Sequence, residues 1–176
     1  MSAVTRARWL KPHEERAWRA YRQMRAKLDL HLARDLAADS GLSESDYDVL
    51  STVSEAEGRR CRLKDLAASM LWSPSRLSHH VARMQQRGLV VREESATDGR
   101  GAEVMLTPQG WRAIQSAAPG HVESVRRHLI DLLTSDEIRT LGRIAEKVVT
   151  HLNEVDRPPQ SLDRRSTRGG KRTKNP

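Results

Sequence analysis

The sequence has few of the residues on which several classes of protein depend. Phenylalanine is absent, aromatic residues make up 3% of the chain, and the only cysteine is Cys61. A single cysteine excludes an internal disulfide framework and favours a cytoplasmic protein. No run of about 18 apolar residues is present, so no membrane span is expected. The first residues also lack the continuous apolar segment of a secretory signal.

Apolar residues are sparse as well. They make up 37% of the chain against 31% charged residues, and the mean hydropathy is −0.69. A lone monomer with this composition would have a small core. An extended helical shape that buries its apolar faces in a dimer fits the composition better.

Positive charge is concentrated at the C-terminal end. The net charge is +8, and residues 157–176 contribute +6 of it through seven lysines or arginines against one aspartate, which leaves +2 for residues 1–156. This tail is rich in proline, glycine, serine and threonine, so it is predicted to be disordered. It either adds nonspecific phosphate contacts or is an inert solvated terminus. Because the body is only mildly basic, bulk charge alone does not establish nucleic-acid binding.

Local signals predict six helices. The first begins near Pro12 and ends before the turn at Ser40. A short third helix is predicted over residues 63–70, and a proline–glycine pair at 119–120 predicts a break or kink in the fifth. The second, fourth, fifth and sixth helices begin after hydroxyl N-caps, namely Ser43, Ser73, Thr107 and Thr134.

A β-hairpin is predicted directly after the fourth helix, which ends at Gly88. Residues 89–93 are predicted to form one strand, and residues 102–106 alternate as a return strand with one packed side. The polar stretch 94–101 contains the turn. Cys61 is expected in a short strand that pairs with this hairpin, as a small buried residue rather than a redox sensor.

The fourth helix has two distinct faces. Leu77, Val81 and Met84 form an apolar stripe that suits the core. The helix is about 21 Å long and suits a DNA major groove about 12 Å wide, where arginine pairs with guanine and serine contacts bases or phosphates. An ordinary amphipathic helix with a solvated polar face would show the same pattern. The polar face carries Ser75, Arg76, Ser78, His79 and Arg83.

The hairpin loop places Asp98 and Arg100 two residues apart. An arginine at a hairpin tip can enter a minor groove, where the negative potential is strong. A nearby carboxylate can orient the guanidinium. Charged, glycine-rich loops are common on any protein surface, so this pattern carries little weight alone.

The order of these segments resembles the MarR family of bacterial transcription factors. The similarity runs from about Trp18 to Leu152 and includes DYDVL at 46–50, LKDLA at 63–67, SPSRLSHHVARM at 73–84, GLV at 88–90, DGR at 98–100 and VMLTPQG at 104–110. It implies a mainly α fold, in which a winged helix-turn-helix with a small β-hairpin wing adjoins an all-helical dimerisation region. The implied parts are an N-terminal dimerisation helix (1–40), the DNA-binding domain (41–108), C-terminal dimerisation helices (109–156) and the tail (157–176).

The resemblance also implies contact residues and partners. Members often have a second arginine in the wing motif where this chain has Gly99. The partners implied are double-stranded DNA and a second copy of the chain, whose recognition helices would read a near-palindromic site about 34 Å apart. The positions that match the family's DNA contacts are Ser73, Ser75, Arg76, Ser78, His79 and Arg83 in the recognition helix and Asp98 and Arg100 in the wing.

Four aromatic residues allow two interpretations. In the family that the sequence resembles, small aromatic or phenolic effectors commonly bind between the dimer helices and the DNA-binding lobe. The four rings either line such a pocket or belong to the hydrophobic core, and both interpretations stay open. They are Trp18, Tyr21, Tyr47 and Trp111.

No pattern for catalysis or metal binding is evident. The sequence has no glycine-rich phosphate loop and no nucleophile–base pair suggested by spacing, so an enzyme is not expected. Among seven histidines, His79 and His80 point to different sides of a helix. His121 and His128 share a face, but no cysteine or carboxylate completes a ligand set. We therefore expect neither a metal nor a cofactor.

The expected function is transcriptional regulation, as a repressor that a small effector releases from its operator. The alternative is a winged-helix protein-interaction or nonspecific DNA-binding module without effector response. Arg76, Arg83 and Arg100 favour DNA binding, because a module that had lost its DNA site would not need cations at all three positions.

Overall fold

The computed structural model describes residues 7–94 and 101–156. Within these ranges the elements follow the predicted order of four helices, a hairpin and two helices, so the mainly α fold with a small wing is confirmed. No helix in the described ranges is both long and apolar enough to cross a membrane. The elements are α1 (Pro12–Ser40), α2 (Glu44–Glu55), β1 (Arg60–Arg62), α3 (Leu63–Ser69), α4 (Pro74–Gln86), β2 (Val90–Glu94), β3 (Ala102–Leu106), α5 (Pro108–His128) and α6 (Ser135–Val155).

The predicted helix boundaries are confirmed by their caps. Ser43 Oγ accepts from the Asp46 amide at 3.2 Å, and the Asp46 carboxylate accepts from the Ser43 amide at 3.1 Å. Thr134 and Glu137 form the same capping box at the start of α6. Gly41 ends α1 in the left-handed region, with φ at 69°. These contacts satisfy backbone groups that a helix end would otherwise leave unpaired.

Helix α5 continues through Pro119, so of the predicted break or kink at residues 119–120 the break does not occur, and the kink stays a prediction. Proline lacks the amide that would bond to the carbonyl four residues earlier, which weakens the helix locally. Ala117 and Ser124, on either side of the proline, are both buried. The packing of α5 against α1 and α2 therefore outweighs the missing hydrogen bond.

Three short strands form an antiparallel sheet in the order β1–β3–β2. Cys61 in β1 lies opposite Val104 in β3, which confirms the expected short strand beside the hairpin. Val90 in β2 lies opposite Leu106. The central strand thus joins the hairpin to the segment that leads into α3.

The hydrophobic core lies where α2, α3, α4, α5 and the sheet meet. Leu77, Val81 and Met84 are fully buried in it, which confirms the apolar stripe predicted for α4. Gly110 allows the first turn of α5 to approach the backbone, since an added Cβ would lie 1.9 Å from the Leu89 carbonyl oxygen. Both α4 and the hairpin therefore pack on the same hydrophobic core.

The chain divides into two compact units, Met1–Leu132 and Leu133–Pro176. The first contains α1 to α5 and the sheet. The second contains α6, in which no residue is buried. Apolar side chains of α6 that are at least half exposed are Ile144, Val148, Val149, Leu152 and Val155.

Candidate nucleic-acid interface

The exposed face of α4 gathers most of the predicted contact residues. Its N-cap is Ser73, whose Oγ accepts from the Arg76 amide at 3.2 Å. At 3.6 residues per turn, positions 75, 76, 79 and 83 fall within an arc of about 100°. The four side chains on that arc are exposed, namely Ser75, Arg76, His79 and Arg83.

Ser78 lies at the edge of this face and is partly buried. Its Oγ accepts from Nη1 of Arg92 in β2 at 3.0 Å. Arg92 is exposed and was not predicted as a site residue. The contact links the middle of α4 to the base of the hairpin and adds a cation beside the exposed face.

Arg92 also lines a groove of about 460 Å³ at the base of the hairpin. Arg62 at the end of β1 and Lys64 in the first turn of α3 lie on the same groove, with Asp65 as an acidic neighbour. Three cations in one groove beside α4 suit an anionic ligand. Sequence reasoning missed this group because Arg92 is far in sequence from the other members, which lie at residues 62–65.

Arg83 is held by a buried histidine that was not predicted to take part. Nη2 of Arg83 lies 2.9 Å from Nδ1 of His80. A guanidinium can only donate, so Nδ1 must accept, and the neutral imidazole carries its proton on Nε2. Nε2 lies 3.2 Å from Oδ1 of Asp46, a close electrostatic contact without hydrogen-bond alignment.

Asp46 completes this buried network. Its Oδ2 accepts from Nη1 of Arg87 at 2.7 Å. Burial alone would raise the pKa of Asp46, but hydrogen bonds from Arg87 and Ser43 bring its pKa below the usual value. Burial lowers the pKa of His80, and the nearby carboxylate offsets this only in part. At neutral pH the network thus contains an ionised Asp46 and a neutral His80.

The side chain of Arg76 stacks on Trp72, which lies in the turn between α3 and α4. The Arg76 Cζ atom is 4.0 Å from the centre of the Trp72 ring. The same ring meets His80 edge-on, with centroids 5.4 Å apart and an interplanar angle of 87°. Both arginines of the exposed face are therefore supported by groups beneath them.

The wing residues Asp98 and Arg100 lie outside the described residues, and their DNA contacts stay a prediction. The strands that carry the loop are described. β2 and β3 pair in register from Val90↔Leu106 to Glu94↔Ala102. The predicted hairpin is thus confirmed, whereas its loop is not described.

The aromatic residues considered for an effector pocket fall into three separate contacts. Trp18 and Tyr21 stack at 5.8 Å between ring centroids and are each about half exposed. Tyr47 meets the His121 ring at 4.3 Å. Trp111 lies beneath the Arg59 guanidinium, 3.7 Å from the ring centre. Tyr47 and Trp111 also pack against the core, so these two rings have structural roles.

Further polar groups bind α1 to α5. Oδ2 of Asp35 accepts from Ser124 Oγ at 2.6 Å, from His128 Nε2 at 2.9 Å and from Arg127 Nη2 at 3.3 Å. These bonds, led by that from Ser124, lower the pKa of Asp35. In the described part of the chain, no three His, Cys, Asp or Glu side chains are arranged to hold a metal ion.

Cys61 is partly buried in β1. Burial raises the pKa of its thiol, and the carboxylates of Asp65 and Glu103 raise it further. The thiolate is the reactive form, so this environment disfavours oxidation at neutral pH.

Known proteins are similar to this chain both in sequence and in fold. A family model described as the MarR family matches residues 40–101. AbsC, a MarR family transcriptional regulator from Streptomyces coelicolor, is 39% identical, with 84% of this chain and 99% of AbsC covered and a TM-score of 0.81. Sco3205, a MarR family regulator from the same organism solved in complex with DNA, is 36% identical, with 89% and 96% covered and a TM-score of 0.81.

A curated relative is also a transcriptional regulator. The transcriptional regulator HosA of Escherichia coli is 28% identical over 132 residues, which cover 74% of this chain and 95% of HosA. The similarity to AbsC and Sco3205 extends over nearly the full length of both proteins and includes the helices outside the wing region. This chain belongs to the MarR family of transcriptional regulators.

Proposed function

We propose that this protein is a cytoplasmic repressor that binds a near-palindromic operator as a homodimer. In this proposal α4 enters the major groove and Arg100 of the wing enters the minor groove. The observation that carries it is the exposed face of α4, where Arg76, His79 and Arg83 lie opposite a fully buried apolar stripe. Sco3205, 36% identical, was solved in complex with DNA, which supports the same partner here.

The chemistry of this face suits a duplex. Arg76 has a fork of donors that matches guanine N7 and O6. Arg83 gives one N–H to His80 and retains others for a phosphate or a base. Ser73 and Ser75 lie at the N-terminus of α4, where backbone amides and the helix dipole favour phosphate. Ser78 and His79 would add contacts along the same groove, and Asp98 would orient Arg100.

Large exposed apolar side chains support the dimer. Trp9 is 86% exposed, and Trp18, Tyr21 and Met24 are about half exposed along the N-terminal half of α1. The exposed apolar residues of α6 add a second such surface. Apolar surface of this extent on a lone chain indicates a protein partner. We assign residues 1–40 and 109–156 to dimerisation and residues 41–108 to DNA binding.

Selection of a duplex from a random pool tests this proposal. At about 150 mM salt, nonspecific binding is typically no tighter than about 1 μM, so a tighter selected site would be specific. We expect a near-palindromic site bound by one dimer, and weaker binding by Arg76→Ala and Arg100→Ala. Gln85→Ala, exposed on α4 but outside the arc of the contact face, is the matched control and should bind as the wild type does.

Two results would contradict the proposal. Equal weak binding to all duplexes would indicate an interaction-only or nonspecific module. Monomeric protein in sedimentation equilibrium, at concentrations where DNA is bound, would exclude the homodimer.

Release by a small aromatic or phenolic effector is part of the proposal, supported by the exposed pair Trp18 and Tyr21. A panel of phenols and aromatic acids should include one that weakens operator binding.

A further inference from the structure

Trp72 was not among the predicted contact residues, yet its ring supports one of them. The Arg76 guanidinium carbon lies 4.0 Å above this ring. We infer that Trp72 is a specificity-determining positioning residue, which holds the Arg76 guanidinium so that its donors face one base pair of the operator. The inference rests on the proposed DNA-binding function and names a residue on which its sequence readout depends.

Trp72 is fixed by a backbone hydrogen bond and by two contacts of its ring. Its amide donates to the Ala67 carbonyl at 2.9 Å, which closes the turn after α3. Its ring packs against the hydrophobic core and meets the buried His80 ring edge-on at 5.4 Å. Leu71 before it has a φ of 53°, in the turn that leads from the end of α3 to the start of α4.

Stacking suits the task of presenting a guanidinium. The attraction acts through the face of the planar group, whereas its N–H donors point outward in the plane. The donors therefore remain available to a guanine edge while the plane is fixed. An unsupported arginine on an exposed helix would lose rotamer freedom on binding. Stacking on the ring already restricts the Arg76 rotamers in the free protein, so less rotamer freedom is lost when DNA binds.

Two other roles for Trp72 predict different behaviour. If the ring only fills space beside the core, its removal should weaken binding to all duplexes equally. If it is a resting place that Arg76 leaves on binding, its removal should strengthen binding. Only the positioning role links the loss of Trp72 to the base pair that Arg76 reads.

A double-mutant cycle separates these roles. The proteins are the wild type, Trp72→Ala, Arg76→Ala and the double variant, with Trp72→Phe as the conservative control. Each is titrated with the duplex selected by the wild type and with its single-base-pair variants. We expect Trp72→Ala to weaken binding about 2- to 30-fold, the range for a cation–π contact. Trp72→Ala should lose discrimination at the same base pair at which Arg76→Ala loses it.

The cycle should also show coupling. The double variant should bind no more weakly than Arg76→Ala, and Trp72→Phe should retain most of the discrimination because a ring remains. Three results would each overturn the inference. They are a double variant whose loss of affinity is the product of the two single losses, a loss that is equal for all base-pair variants, and tighter binding by Trp72→Ala. Should Trp72→Ala fail to fold, Trp72→Leu, which keeps apolar bulk without a ring, takes its place and should lose the same discrimination.

A measurement without DNA distinguishes failure of the inference from failure of the proposed function. Ring currents of Trp72 should shift the δ-methylene protons of Arg76 upfield in NMR spectra, and the shift should vanish in Trp72→Ala. Absence of the shift in the wild type overturns the inference whatever the DNA data show. Lack of any selected duplex, with the shift present, overturns the proposed function and the readout role of Trp72 together.

Discussion

Arg83 donates to Nδ1 of His80 across 2.9 Å within one turn of α4. An exposed cation on the proposed DNA-binding face is thereby tied to a buried imidazole. The imidazole in turn faces Asp46 at the start of α2. The bond requires an unprotonated Nδ1, so the position of Arg83 depends on the charge of His80.

This dependence predicts an effect of pH on stability. Burial lowers the pKa of folded His80, Arg83 and Arg87 lower it further, and Asp46 opposes them. An unfolded histidine titrates near pH 6.5, so below about that pH the unfolded chain gains a proton that folded His80 resists. The free energy of unfolding should fall by at most about 1.4 kcal/mol per pH unit, down to the folded pKa.

Urea unfolding of the wild type and of His80→Gln at about pH 7.5 and pH 5.5 measures this effect. His80→Gln should lose less stability on acidification than the wild type. His79→Gln, at the exposed neighbouring position, should behave as the wild type. Equal losses in the wild type and His80→Gln would show that His80 is not the titrating group.

The Asp46 carboxylate predicts a second effect on stability. It is 3% exposed and accepts from Arg87 while facing His80. Asp46→Asn keeps the shape but removes the charge, so the free energy of unfolding should fall by about 1–3 kcal/mol. Chemical denaturation measures the change. Asp48→Asn, exposed on the same helix, should change stability by less than about 0.5 kcal/mol, and an equal effect of the two substitutions would contradict the role of the network.

Sequence patterns predicted the local features of this molecule. The caps at Ser43 and Thr134 and the apolar stripe on α4 depend on residues three or four positions apart, which a sequence displays directly. The confirmed hairpin likewise follows from a change of period after Gly88. These signals also located the polar face of α4.

Contacts between distant segments were not predictable in this way. Arg87 and Asp46 are 41 residues apart, and the stacking of Arg76 on Trp72 depends on a backbone reversal at Leu71. The helix through Pro119 shows the same limit, because packing outweighed a local signal. Sequence patterns therefore located the proposed DNA-binding face of α4 but missed the contacts from Trp72, His80 and Asp46 beneath it.

The reversal at Leu71 predicts a stabilising substitution. Leu71 has a φ of 53° and is 90% exposed. The left-handed conformation is unfavourable for a side chain with a Cβ, whereas glycine adopts it freely. Leu71→Gly should raise the free energy of unfolding by about 0.5–1 kcal/mol after the entropy of glycine in the unfolded chain is counted. Leu71→Ala retains the strain and should give no such gain in thermal unfolding. If Leu71→Ala stabilises the protein and Leu71→Gly does not, this explanation is wrong.

The basic tail predicts a salt effect. Residues 157–176 carry +6 of the net charge of +8. If they neutralise phosphates, their deletion should reduce the slope of log K against log salt by about 0.9 per lost contact. Titrations between about 50 and 200 mM salt measure the slope. An unchanged slope would show that the tail makes no phosphate contacts.

Gly110 predicts a position where no side chain is tolerated. A Cβ there would lie 1.9 Å from the Leu89 carbonyl oxygen, a backbone atom that cannot move aside without shifting β2. Gly110→Ala should therefore lower the free energy of unfolding by about 3 kcal/mol or more, beyond the usual cost of overpacking. Gly120→Ala, in the same helix, would approach only the Asp39 carboxylate at 3.5 Å. It should be neutral or stabilising by about 0.5–1 kcal/mol. Equal stability of the two variants in urea would mean that α5 does not rest on Leu89 in solution.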